Sequence, residues 1–312
     1  MSPRLSVVIC TRNPRPQYFG RVLGALRQQT FSAGEWELIV VDNQSDPPLA
    51  PSYDLSWHPL ARVVREETPG LTHARLRGCS EASSSLFIFV DDDNVLDSNY
   101  LATAVHLADG MPFLGVWSAS IHGEFETPPE AWMKPYLPYL ALTEFSHDRW
   151  SNHPRGQTLP VGAGMVVRRE VMTAYRASLL DDPRRLRLDR DGQSLLAGGD
   201  TDIGLAACSL GLGCGCMTAL RVTHLIPASR LQERYLTRLV EDITASHHWL
   251  DLAQGLPDAK GYARMKLRLK ALIGRLTGGT GSLGFEGAVA RGRLKATALF
   301  ESPGTNPGHP GP

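Results

Sequence analysis

Leu86–Val90, read as Leu-Phe-Ile-Phe-Val, runs straight into Asp91-Asp92-Asp93-Asn94. A short apolar run rich in aromatic and β-branched residues predicts a strand buried on both faces, and it is too short to cross a membrane. If its alternation continues past Val90, Asp91 and Asp93 point to one side and Asp92 to the other. Two carboxylates held close together repel unless a cation lies between them, which predicts a divalent metal bound through oxygens. The plainer reading is a strand end carrying solvated acids.

The preceding chain repeats one step. Leu5–Thr11 reads as a strand, and Phe19, Val22, Leu23 and Leu26 follow at helical spacing. Glu37–Val41 ends at Asp42–Asp46, Arg62–Glu66 ends at Thr68-Pro69-Gly70, and Leu71, Ala74, Gly78 and Ala82 give the next helix a narrow face. A helix near Ser98–Leu107 and a strand at Phe113–Ser118 continue the pattern. This order predicts an α/β fold with a largely parallel sheet flanked by helices, whose ligands gather beyond the carboxyl ends of the strands. Those ends, Thr11-Arg12-Asn13, Asp42–Asp46 and Asp91–Asn94, are polar and acidic.

From Ile121 the regular pattern gives way to a stretch rich in proline and aromatic residues, among them Phe125, Trp132, Tyr136, Tyr139, Phe145 and Trp150. Such a segment serves as a functional loop or cover; its rings either stack on sugars or pack over the sheet. Leu159–Arg168 reads as a strand in which Gly162 and Gly164 leave room for close approach. Arg184–Asp191 is a charged loop, and Ala197-Gly198-Gly199-Asp200-Thr201-Asp202 opens a helix carrying Ile203, Ala206, Ala207 and Leu210. Capping alone accounts for one of its two acids. Met217–Thr223 is a further strand, ending at His224 and leading to Arg230.

Two helices follow, one with Leu231, Tyr235, Leu236, Leu239, Val240 and Ile243 in register, the other over Lys260–Arg275. The second combines Met265, Leu269, Leu272, Ile273 and Leu276 with many basic residues. It either lies on an anionic membrane or docks its apolar face on the core. The expected organisation is residues 1–230 as the main domain, with halves 1–120 and 121–230, a helical extension over 231–300 and a disordered tail over 301–312.

Lysine plus arginine balances aspartate plus glutamate at 32 each, so no overall field draws in nucleic acid. The five cysteines lack the spacing of a zinc site and read as reduced thiols. With neither a signal peptide nor an 18-residue apolar span in view, the expected location is cytoplasmic, with peripheral attachment at the inner face of the membrane through 260–276 as one reading.

Five motifs in order resemble the inverting family 2 glycosyltransferases with the GT-A fold, over roughly Leu5 to Leu236. They are Val7-Val8-Ile9-Cys10-Thr11-Arg12-Asn13, Val41-Asp42-Asn43-Gln44-Ser45-Asp46, Gly70-Leu71-Thr72-His73-Ala74-Arg75, Asp91-Asp92-Asp93 and Gly198-Gly199-Asp200-Thr201-Asp202. Two depart from the family pattern: Asp46 comes one residue early, and Gly199 stands where the family has Glu. The resemblance implies a nucleotide-diphosphate sugar donor, most readily a UDP-sugar, held by Thr11, Arg12, Asn13, Asp42, Ser45, Arg75, Asp91, Asp92 and Arg230. It implies a Mg²⁺ or Mn²⁺ at Asp91, Asp93 and His224. The general base is Asp200, with Asp202 in reserve, acting on the hydroxyl of a carbohydrate, lipid-linked or other acceptor in glycoconjugate synthesis.

Two alternatives stand beside it. Asp91-Asp92-Asp93-Asn94-Val95 also satisfies the opening of haloacid-dehalogenase-like phosphatases, with Asp91 as nucleophile, although three strands precede it here. The missing Glu at Gly199 fits a non-catalytic nucleotide-sugar binder.

Overall fold

The structure, a computed structural model, describes residues 2–49, 53–153, 158–258, 260–276 and 281–301. They fall into two compact units. The first comprises Met1–Glu126, Ala141–Ala177 and Asp200–Ile226, the second Thr127–Leu140, Ser178–Gly199 and Pro227–Pro312.

In chain order the first unit begins with β1 (Leu5–Thr11), α1 (Pro16–Arg27), β2 (Trp36–Asp42), β3 (Ala61–Arg65), α2 (Leu71–Glu81) and β4 (Leu86–Val90). It continues through β5 (Asn94–Leu96), α3 (Tyr100–Gly110), β6 (Leu114–Phe125), β7 (Arg149–Ser151), β8 (Val166–Arg168), α4 (Arg169–Asp181), α5 (Gly199–Ser209) and β9 (Gly213–Ile226). The nine strands form one sheet in the order β3-β2-β1-β4-β8-β6-β9-β5, with β7 paired to β9 off that path. Strands β3, β2, β1 and β4 are mutually parallel. Beyond them β8 runs antiparallel to both neighbours, β6 and β9 are parallel, and β5 and β7 are antiparallel to β9. The largely parallel sheet expected from the strand–helix alternation is therefore present: β6 and β9 run in the same sense as β1 to β4, and β5, β7 and β8 run against them.

Burial explains the first half. Every residue of β2 and β4 is buried, as a strand covered on both faces requires. Helix α1 starts on Pro16, whose missing N–H costs nothing at that position, and buries the expected Phe19, Val22, Leu23 and Leu26.

The second half departs from the sequence reading. Strand β6 continues past Ile121 to Phe125, and β9 begins at Gly213 and carries His224 inside it. The expected strand Leu159–Arg168 shrinks to β8, because Gly164 takes a positive φ of 70° in a turn closed by Met165 N–H to Gly162 O at 3.2 Å.

The second unit is largely helical: α6 (Glu233–Ala253), α7 (Gly261–Leu276) and α8 (Gly281–Glu301), with 3₁₀ turns at Ala131–Met133, Leu137–Leu140, Pro183–Arg187 and Ala228–Leu231. The aromatic stretch contributes to this unit's packing. Tyr136 is fully buried and meets Phe285 edge-on at 5.3 Å, and Tyr139 meets the same ring at 5.8 Å. Helix α8 buries Gly284, Gly287, Ala288, Ala290, Gly292, Ala296 and Thr297, a face of small residues that lets neighbouring helices come close. On the α7 side a Cβ at Gly274 would lie 2.6 Å from the Cα of Gly287. Asp242, 1% exposed on α6, is held by Lys295 Nζ of α8 at 2.6 Å and by the Leu195 N–H at 2.9 Å. Glu301 is the last residue of α8; the rest of the expected tail, residues 302–312, lies outside the described residues. Among the described residues no helix is long and apolar enough to cross a membrane.

Candidate active site

The strand register brings the polar ends of the parallel half into one row. Thr11 pairs with Asp42 across β1 and β2, and Asp42 with Arg65 across β2 and β3. Ile9 pairs with Val90 across β1 and β4, so the residues two further along, Thr11 and Asp92, also meet. The Thr11 hydroxyl donates to the Asp92 carboxylate. The row Asp92, Thr11, Asp42, Arg65 thus crosses four strand ends.

Asp42 is 2% exposed, and both oxygens are engaged. Oδ1 accepts the Ser45 N–H at 2.8 Å; Oδ2 accepts the Leu49 N–H at 3.1 Å and Arg65 Nη1 at 2.7 Å. Burial pushes this carboxyl up, but the hydroxyl and amide of Ser45, the Leu49 amide and Arg65 together hold it below the ordinary aspartate value. A carboxylate occupied in this way shapes the loop beyond β2. That loop is also tied to the end of β1: Asn13 N–H donates to Ser45 Oγ at 2.9 Å, and Asp46 N–H donates to Asn13 Oδ1 at 2.8 Å. Asn13 and Gln44 take positive φ of 51° and 63°. Arg12, just before Asn13, is exposed. Arg65 has no place in the sequence reading, since only the pairing register puts it beside Asp42.

The Asp-rich segment does not continue the strand. The Asn94 N–H donates to Asp91 O at 3.1 Å, so Asp91–Asn94 is a turn between β4 and β5. Strand alternation stops at Val90, so the alternation that put Asp91 and Asp93 on one face does not extend over them. Asp92 meets β1. Asp93, 6% exposed, has its Oδ2 3.4 Å from Nε2 of His224 on β9, also 6% exposed, while its Oδ1 accepts from Asn94 Nδ2 at 3.1 Å. The pairing of Asn94 with His224 across β5 and β9 fixes this meeting. Among the described residues no three His, Cys, Asp or Glu side chains gather as a metal cage. Of the expected set Asp91, Asp93 and His224, Asp93 and His224 come together.

Asp200 sits in the first turn of α5, where Oδ2 accepts the Gly162 N–H at 2.9 Å and Oδ1 the Thr201 N–H at 2.7 Å. A Cβ on Gly162 would stand 2.6 Å from Nη2 of Arg75 and 3.6 Å from Oδ2 of Asp200, so guanidinium and carboxylate border the same point, kept open by the absent side chain. Arg75 is 4% exposed and lies over the Phe89 ring at 5.5 Å, two residues before Asp91. Asp200 is therefore linked to the end of β4 through Gly162, Arg75 and Phe89. Asp202, also in the first turn of α5, is 1% exposed. Arg230 lies on the 3₁₀ turn Ala228–Leu231 of the second unit.

A separate polar hollow of about 1140 Å³ is lined by Ser120, His122, Glu144, Arg221 and Thr223 among others. Arg221 and Thr223 alternate with His224 along β9, so it opens on the face away from Asp93.

Residues 6–176 match the family model described as Glycosyl transferase family 2. No curated protein matches the sequence. Among solved structures the chain is similar to S. aureus TarS, with a TM-score of 0.55, 16% identity and coverage of 89% of this chain and 44% of that one. It is similar to S. aureus TarS 1-349 in complex with UDP, at TM-score 0.52, 14% identity, 96% of this chain and 89% of that one. GalNAc-T7 with UDP, GalNAc and Mn²⁺ gives a TM-score of 0.52 and 18% identity over 82% of this chain and 52% of that one. At these identities the likeness shows a shared fold, that of the GT-A glycosyltransferases. The chain spans under half the length of the longer TarS chain.

Proposed function

Because the chain belongs to glycosyl transferase family 2, we propose that it moves a sugar from a nucleotide-diphosphate donor, in the first instance a UDP-sugar, to an acceptor hydroxyl by a single inverting displacement. The observation that carries this reading is the link from Asp200, through Gly162 and Arg75, to the acid-rich end of β4. It supports a base on one side of a crevice whose other side suits a diphosphate.

The nucleoside would lie along the strand-end row, where the loops fixed by Asp42 and Ser45 and the backbone of Thr11, Arg12 and Asn13 offer a preformed rim. Asp91 and Asp92 would contact the sugar-nucleotide, and Arg75 the diphosphate charge. Asp200 would accept the acceptor's proton as the acceptor oxygen bonds to the anomeric carbon and the carbon–diphosphate bond breaks, releasing the nucleoside diphosphate. Its two backbone hydrogen bonds hold the carboxylate in one orientation through that step.

The donor set at Asp93 and His224, a carboxylate and an imidazole nearly closed to solvent, fits a divalent cation, with manganese better suited than magnesium to the nitrogen ligand. When bound, such an ion would offset the negative charge that grows on the departing diphosphate.

The phosphatase alternative loses its basis with the family match, and Asp91 follows four strands in chain order. A non-catalytic binder would not need Asp200 oriented as it is. The test is incubation of the chain with a panel of nucleotide sugars and Mn²⁺, reading nucleoside diphosphate release and, by NMR, the anomeric configuration of the product. Transfer with inversion from one donor is expected. Retention, or binding without turnover across acceptor classes, would overturn the reading.

A further inference from the structure

Helix α7 carries its large apolar side chains on the outside. Met265, Leu269, Leu272 and Leu276 recur at intervals of four, three and four residues, a single row along the helix, and are 58, 57, 54 and 78% exposed. Leu283, at the start of α8, is 52% exposed. The opposite side of α7, with Ala271 and Gly274, is the one that packs on α8, through the close approach of Gly274 to Gly287. The sequence reading left two fates open for the apolar row, and docking on the core is not the one observed. Small residues make the seam, and the row faces solvent.

The charges around the row are of one sign. Residues 260–276 include Lys260, Arg264, Lys266, Arg268, Lys270 and Arg275 and no acidic residue. At about 100° per residue, Arg268 and Arg275 fall to one side of the row and Lys266 to the other. Lys270, further round, pairs with Glu286 of α8 at 2.9 Å.

An exposed apolar row rimmed by cations matches the boundary of an anionic bilayer, where acyl chains take up the row and phosphate headgroups meet the lysines and arginines. A symmetric contact with a second copy would instead bring two sets of like charges together. The lack of any described helix fit to cross a bilayer is consistent with in-plane contact. We propose that α7 is a peripheral docking surface for an anionic lipid bilayer, lying in its interface with the Met265–Leu276 row inward.

The test is flotation of the full chain with vesicles of phosphatidylcholine alone or mixed with phosphatidylglycerol, at low and high salt. Co-flotation is expected only with the mixed vesicles and weakens at high salt. Charge reversal in Lys266→Glu/Arg268→Glu/Arg275→Glu should lower affinity by at least about fivefold per residue changed. Leu269→Ser/Leu272→Ser/Leu276→Ser should lower it by about tenfold or more. Both variants should keep the wild-type melting temperature and donor affinity, since these side chains are exposed. Failure of the wild type to float with anionic vesicles, or equal flotation of both folded variants, would overturn the proposal. So would light scattering that finds a dimer dissociated by the leucine changes, which would assign the row to a second copy. The lipid and salt arms need no variant and decide the matter if one misfolds.

Discussion

The Oδ2 of Asp200 accepts the amide N–H of Gly162 at 2.9 Å, although 38 residues separate them. The backbone ahead of β8 therefore aims a carboxylate carried on α5, and the arrangement uses no side chain at 162.

Asp200→Asn keeps an oxygen able to accept one of the two amide hydrogens but offers no proton acceptor. Turnover should fall by about 10²–10⁴-fold, while calorimetry finds donor affinity unchanged. A variant that transfers sugar at the wild-type rate would remove Asp200 as the base.

Gly162→Ala places a methyl group 2.6 Å from Arg75 Nη2, nearer than any side chain tolerates, so the guanidinium must shift. Because that atom is the far end of a flexible side chain, the expected cost in stability is at most about 1 kcal/mol, while kcat should fall by about 10²-fold because Arg75 and Asp200 border the same point. Denaturant melts and steady-state rates separate the two effects; an unchanged kcat would detach Arg75 from the reaction.

His224→Ala and Asp93→Asn each remove half of the buried pair on β9 and the β4–β5 turn. Each should raise the Mn²⁺ concentration giving half-maximal activity by about 10–100-fold, and chelation should silence the wild type. Activity that survives chelation would falsify metal dependence without touching the assignment of Asp200.

His58 supplies a pH test away from the site. It is 3% exposed, its ring centroid lies 4.0 Å from that of Trp36, and its Nδ1 accepts the Leu60 N–H at 3.2 Å. Burial pushes its pKa down to about 4. The unfolded chain then binds more protons than the folded one between pH about 6.5 and about 4, so stability declines as pH falls through that window and is fully retained above it. Urea unfolding should give about 1–3 kcal/mol less stability at pH 4.5 than at pH 7, and His58→Phe should flatten the decline between pH 7 and 5. An unaltered slope there would mean that other groups titrate.

Much of the first half of the sheet was legible because its signals are local. Phe19, Val22, Leu23 and Leu26 declare one face of α1, and Leu86–Val90 declares a strand closed on both sides. What escaped depends on pairing. Arg65 joins Asp42 only through the β2–β3 register, and Asp91–Asn94 form a turn where strand alternation was extended. Helix α8 left no periodic trace, since its buried face is mostly glycine and alanine while Leu283 and Leu299 are exposed. The role of Gly162 was visible as room for a close approach, but the identity of what approaches, Arg75 and Asp200, needed three dimensions.

Asp92 is bound to β1 through Thr11, and Asp93 faces β9 through His224. Their Cα atoms can stand no further apart than about 3.8 Å, the span of one trans peptide. One peptide unit thus joins a side chain held by β1 to one that faces β9, so the spacing of these two anchor points is set by the covalent geometry of the chain itself.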